Sequence, residues 1–98
     1  AAVELAGQAA EAGETAELRA RLEANADDHQ ARFDLAIALA AAGDNAGAIH
    51  ELLELFRRDR AWNEEAAKTQ LFTLFEALGP KDPVALTGRR RLSSMIFA

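Results

Sequence analysis

The feature that most restricts this chain is its punctuation. Short stretches of strong helix formers alternate with residues that start or stop helices, so the fold has to be assembled from helices of three or four turns. Gly13 separates a stretch over 2–12 from one over 15–25, where Leu18 and Leu22 stand one turn apart. Asn25-Ala26-Asp27-Asp28 breaks the pattern again, and Asp28 is placed to cap a third helix that ends at Gly43. Asp44 is placed to cap a fourth, on which Ala48, Ile49, Leu52, Leu53, Leu55 and Phe56 form a broad apolar face. Asn63 is expected to cap a fifth helix, striped by Ala67, Leu71, Leu74, Phe75 and Leu78 and closed by Gly79-Pro80. Asp82-Pro83, a cap residue followed by a first-turn proline, opens a sixth. That helix is expected to bury a subset of Val84, Leu86, Leu92, Met95 and Ile96.

Composition removes the competing classes. Of 98 residues, 24 are Ala and only nine are β-branched, so a sheet lacks its usual material and an all-α fold is expected. Without Cys there is no disulfide frame, thiolate nucleophile or Cys-ligated zinc. A net charge of −5 opposes general nucleic-acid binding, which needs a basic stripe to displace counterions. Nowhere does an apolar run reach membrane-spanning length. The chain begins without Met, inside a helix-like pattern, and reads as a piece of a larger protein. No cofactor, nucleic-acid partner or membrane partner is expected.

Charge is unevenly spread. Residues 1–30 carry seven acids against Arg19 and Arg21, whereas residues 81–98 carry Lys81, Arg89, Arg90 and Arg91 against Asp82. The three consecutive arginines read most simply as a solvated face with ion pairs to acidic neighbours. The sharper reading is a basic rim that steers an acidic partner, with Arg89 and Arg90 as contact residues.

Short helices joined by short turns suggest hairpins stacked in an array. The segment 28–61 fits the tetratricopeptide spacing along its length. Its skeleton is Arg32, Leu35-Ala36, Leu39, the turn Gly43, Ala48, Leu52 and Leu55, with Arg60 where that pattern usually has Pro. Small Ala36 and Ala48 let two helices approach closely, and Leu35, Leu39, Leu52 and Leu55 fill the seam between them. Residues 1–27 form a degenerate first hairpin, and 62–98 a degenerate capping hairpin. The expectation is a single tetratricopeptide-like domain over 1–98: a right-handed stack of about three antiparallel hairpins, six helices in all.

From Asp28 to Phe97 the chain also resembles the C-terminal half of the YbbN-type (CnoX-type) thioredoxin-like co-chaperone family. The resemblance rests on Ala31-Arg32-Phe33-Asp34-Leu35-Ala36, Arg57-Arg58-Asp59-Arg60-Ala61-Trp62-Asn63, Leu74-Phe75-Glu76-Ala77-Leu78-Gly79 and Arg90-Arg91-Leu92-Ser93-Ser94. It implies a bacterial, cytoplasmic protein-folding context, an upstream thioredoxin-like domain absent from this sequence, and unfolded client proteins or a chaperonin as partners. It transfers no catalytic residue, since redox chemistry would sit in the absent domain, so a non-catalytic binding module is expected. The alternative is a structural spacer or oligomerisation array, a homodimer included, with its groove filled by another copy.

A tetratricopeptide array binds along the face lined by the first helix of each pair, which here places Gln30, Phe33, Ile37, Ala40 and Ala41 inward. Many such arrays grip a terminal carboxylate there with Lys, Arg and Asn, but Asp34, Ile37 and Ala41 hold those places. An apolar groove suits exposed hydrophobic segments instead, unless Phe33 and Ile37 pack on the chain's own helices. Trp62 reads as a packing plug between hairpins, and Arg57, Arg58 and Arg60 as a solvated helix end that complements the dipole. His29 and His50 lack a third ligand for a metal, and Ser93 and Ser94 lack a base. Gln70, if buried in its apolar stripe, would have to pin a neighbouring backbone group.

Overall fold

Three aspartates set where three helices begin. The computed structural model describes residues 14–97, and five helices follow one another among them. They are α1 over 14–24, α2 over His29–Ala41, α3 over Asn45–Arg58, α4 over Trp62–Leu78 and α5 over Pro83–Phe97. The helix expected over 2–12 lies outside the described residues, so five helices stand where six were expected for the whole chain. No strand occurs among the described residues. Asp28 Oδ1 accepts from the Ala31 amide at 3.1 Å, and Asp44 Oδ1 from Gly47 at 2.9 Å. Asp82 Oδ1 accepts from both Val84 and Ala85, at 2.9 and 3.1 Å. Each carboxylate satisfies amides that the first turn leaves without a helical partner, a contribution of about 1 kcal/mol apiece. Gly43 and Gly79 end α2 and α4 at φ of 91° and 95°, where a side chain would be strained.

Helix α3 carries the core, packing against α2 on one side and against α4 and α5 on the other. Ala48, Leu52, Leu53 and Leu55 are completely buried, as are Leu35 of α2 and Leu71 and Phe75 of α4. The expected seam of α2 and α3 is present: Ala36 and Ala48 are at most 1 % exposed and Leu39 closes the end. The α4 stripe is also as read, with Ala67, Leu71, Leu74 and Phe75 buried and Leu78 half-buried.

Helix α5 buries part of the expected set and adds two small residues to it. Its buried residues are Ala85, Gly88 and Leu92, with Val84 and Met95 partly covered, while Leu86 and Ile96 stay exposed. The reason is close approach. A Cβ at Gly88 would lie 2.7 Å from Phe75 Cε1 and 3.0 Å from Ile49 Cγ2, so α5 meets α4 and α3 through its smallest residues. Spacings of three and four put 85, 88 and 92 on one face, and the larger residues are turned aside.

At Asn63 the structure corrects the expected cap. Asn63, Glu64 and Glu65 all have positive φ, at 49°, 55° and 63°, so the first turn of α4 is left-handed and the regular helix follows it. No side-chain cap is present there. The Asp59 carbonyl and carboxylate hold the turn before it, accepting from Trp62 N at 3.3 Å and Ala61 N at 3.2 Å. Trp62 is thereby brought against His29 and Phe33 of α2. A left-handed residue costs about 1–2 kcal/mol, so burial of this indole and the docking of α4 must offset the strain. Gln70 is only half-buried and pins nothing.

One buried ion pair joins α2 to α3. Arg32 Nη1 donates to Glu51 Oε2 at 3.1 Å, Nη2 donates to the Ala26 carbonyl at 3.1 Å, and Nε is buried without a partner. The two side chains are 9 % and 13 % exposed. Truncating one member leaves the other charge buried alone, which costs about 3 kcal/mol or more. Glu51→Ala is therefore expected to destabilise by that order in urea unfolding, and Arg32→Met with Glu51→Leu to recover most of the loss. Gly88→Val is expected to cost about 2 kcal/mol by overpacking, with a matching fall in the urea midpoint.

Candidate protein-interaction surface

The α2 face divides into engaged and free residues. Gln30 is exposed and its Nε2 donates to Asp34 Oδ1 at 2.9 Å. Phe33 is half-buried, its ring 5.7 Å from that of Trp62, so it packs on the chain itself. Ile37 is 39 % exposed, Ala40 is half-buried against the core and Ala41 is open to solvent. Of the five residues placed in the groove, Ile37 is therefore the large apolar side chain left exposed. Trp62 touches His29 edge-on at 6.2 Å as well as Phe33, which makes it the plug between α2 and α4.

A second apolar surface, unmarked by the repeat pattern, lies between α4 and α5. Phe72, Leu92, Ile96 and Phe97 line a groove of about 380 Å³, and Lys68 and Arg89 flank it. Phe72 stands edge-on to Phe75 at 6.3 Å, and the Arg89 guanidinium lies 5.0 Å from the centre of the Phe75 ring. Ser93 lines the same groove, while Arg90 lies along the neighbouring edge with Met95. The available signal was Phe72, an aromatic just off the α4 stripe, together with the terminal pair Ile96-Phe97.

The basic segments differ in how their charge is used. Arg57 and Arg58 both bond the Glu54 carboxylate, and Arg58 also reaches Asp27 at 3.0 Å, tying the end of α3 to the α1–α2 turn. Arg60 lies over the Phe56 ring at 5.0 Å. By contrast Arg89, Arg90 and Arg91 are exposed and form no ion pair among the described residues. His29 Nε2 sits 3.9 Å from Asp59 Oδ2 and its Nδ1 is buried without a partner, whereas His50 is exposed. Among the described residues no three His, Asp or Glu side chains converge as metal ligands do, and no helix is long and apolar enough to cross a membrane.

With this geometry in view, the profile of the tetratricopeptide repeat family matches residues 8–97. The chain belongs to the tetratricopeptide repeat family. Uncharacterized proteins of Mycobacterium bovis and of two Mycobacterium tuberculosis strains are each 32% identical to it over 71 residues. The alignment takes in 72% of this chain and 23% of each relative, so the match spans about a quarter of their length. No solved structure matches.

Repeats of this family mediate protein–protein interaction, and their helices supply surfaces rather than reacting groups. The tetratricopeptide hairpin α2–α3 is locked at its open end by the Glu54 cluster. Arg57 and Arg58 hold that carboxyl down to about 2 from an ordinary 4.5, against the partial burial that would raise it. A carboxylate with a lowered folded value contributes its stability above the unfolded value and loses it as pH falls through the folded one. The cluster should thus weaken between about pH 4.5 and 2. Glu54→Gln is expected to flatten that part of the stability profile and leave the profile near neutrality parallel to that of the parent chain, as followed by thermal unfolding.

Proposed function

We propose that this tetratricopeptide chain is the non-catalytic, client-binding part of a thioredoxin-like co-chaperone. In this reading it is a right-handed stack of three hairpins that holds exposed apolar segments of unfolded proteins on the α2 face, with a chaperonin or another chaperone as onward partner and the bacterial cytoplasm as setting. The observation that carries the reading is Ile37, an isoleucine left 39 % exposed one turn before Ala40 and Ala41 on a face without a cationic clamp. Asp34, where a carboxylate clamp would need a cation, is already bonded to Gln30. Such a face favours apolar side chains over acidic chain termini. The resemblance of residues 28–97 to the co-chaperone family supports the choice of client.

The test is suppression of aggregation when a chemically unfolded enzyme is diluted into buffer with this chain, followed by light scattering. Suppression is expected for the parent chain and is expected to be lost in Ile37→Asp. An exposed substitution of this kind shifts stability by about 0.5 kcal/mol, so circular dichroism should show the variant folded. Equal suppression by both proteins, or unfolding of the variant, would remove the α2 face from the mechanism.

A further inference from the structure

Among the described residues, five large hydrophobic side chains are exposed, and three of them meet in one place. Phe72, Ile96 and Phe97 are 43 %, 37 % and 83 % exposed and all border the α4–α5 groove. Scattered apolar residues on a surface need no explanation, but a cluster around a concavity does. At about 380 Å³ the groove falls within the range of pockets that take a few apolar side chains at once.

Its charge narrows the occupant. Helices α4 and α5 run antiparallel with Gly88 against Phe75, so Lys68 falls at the end of the groove held by Ile96 and Phe97, and Arg89 at the other. Among the described residues no carboxylate lines it. Elsewhere in the described chain Arg21, Arg32, Arg57 and Arg58 are spent on Asp28, Glu51, Glu54 and Asp27. Lys68, Arg89, Arg90 and Arg91 form no ion pair among the described residues, and neither do Arg19, Arg60 and Lys81, but only the first four gather beside this groove and the neighbouring edge of α5. Two copies placed face to face here would set these cations against each other.

We propose that the α4–α5 groove docks an amphipathic helix of a partner protein that presents apolar residues at three-four spacing with acidic residues beside them. The proposal rests on the reading of this chain as a protein-binding module and adds a second, charge-selected surface to it. Apolar side chains of the incoming helix enter between Phe72 and Ile96, and its carboxylates meet Lys68 at one end and Arg89 at the other. Association is then steered by charge and held by apolar burial, which makes it sensitive to salt.

The experiment uses the 98-residue chain and two fluorescein-labelled synthetic helices. Both carry Leu and Phe at three-four spacing, and the remaining positions are Glu in one and Lys in the other. By fluorescence anisotropy the Glu helix is expected to bind at least about ten-fold more tightly than the Lys helix, and to weaken as salt is raised. Phe72→Asp and Arg89→Glu are each expected to lose about ten-fold or more. Arg89 is exposed, so its variant remains informative if Phe72→Asp fails to fold. Equal affinity for the two helices would overturn charge selection. Loss in Ile37→Asp alone would move the contact to α2 and overturn the groove assignment. A sedimenting self-complex that the Glu helix does not displace, or Phe72-dependent binding to vesicles of anionic lipid in its place, would equally overturn it. Failure of helix binding with intact, Ile37-dependent suppression of aggregation would sink this inference while sparing the function proposed above.

Discussion

Helix α3 is buried along most of one side and both edges because three other helices lean on it, and the distances at which they can do so are set by small residues. Ala36 and Ala48 are buried where α2 packs on α3, while Gly88 brings α5 onto Phe75 and Ile49. Leucines then fill the space that close approach leaves, and each fully buried one contributes about 2 kcal/mol of apolar transfer. Widening any of these contacts by a methyl group would separate helices whose outer surfaces are too polar to re-seal the gap. The positions of both candidate surfaces follow from that geometry, since α2 and the α4–α5 pair are held by the same central helix.

Charge is arranged in two ways along the stack. Around α3 the cations are consumed locally: Arg32 is enclosed with Glu51, and Arg57 and Arg58 converge on Glu54. These contacts fix the hairpin and the turn that leads into it, and they leave little field for a ligand. Around α5 the cations form no ion pair among the described residues, Arg89 lies over the Phe75 ring, and exposed aromatics are close by. Paired charge builds the scaffold at one end, and charge without ion pairs lies beside apolar surface at the other. This contrast separates the α4–α5 groove from the α2 face, which is apolar but bears no comparable charge.

The left-handed turn at Asn63–Glu65 shows how a local rule loses to packing. Asparagine followed by two glutamates is a reasonable helix start, with acids near the positive end of the dipole. In the structure these same residues absorb a reversal that lets Trp62 reach His29 and Phe33. Nothing in the residues themselves announces this, because the contact that rewards it lies on another helix some 30 positions earlier.

The caps at Asp28, Asp44 and Asp82, the stop at Gly43, the apolar stripes of α3 and α4 and the repeat spacing of 28–61 were all written in the sequence. Each depends on interactions within one turn or between neighbours on one helix, and such interactions have fixed spacings. The same spacing puts Ile37 on the α2 face with Phe33, but which of the two packs on the chain's own helices was decided by the tertiary structure. The partners of distant residues had no such signature. Arg32 with Glu51, Gly88 under the Phe75 ring, and the gathering of Phe72, Ile96 and Phe97 with Lys68 and Arg89 were decided only when the helices packed. Periodicity states which residues share a face of one helix, but the angle and separation at which two helices meet decide which faces close and which are left as a groove.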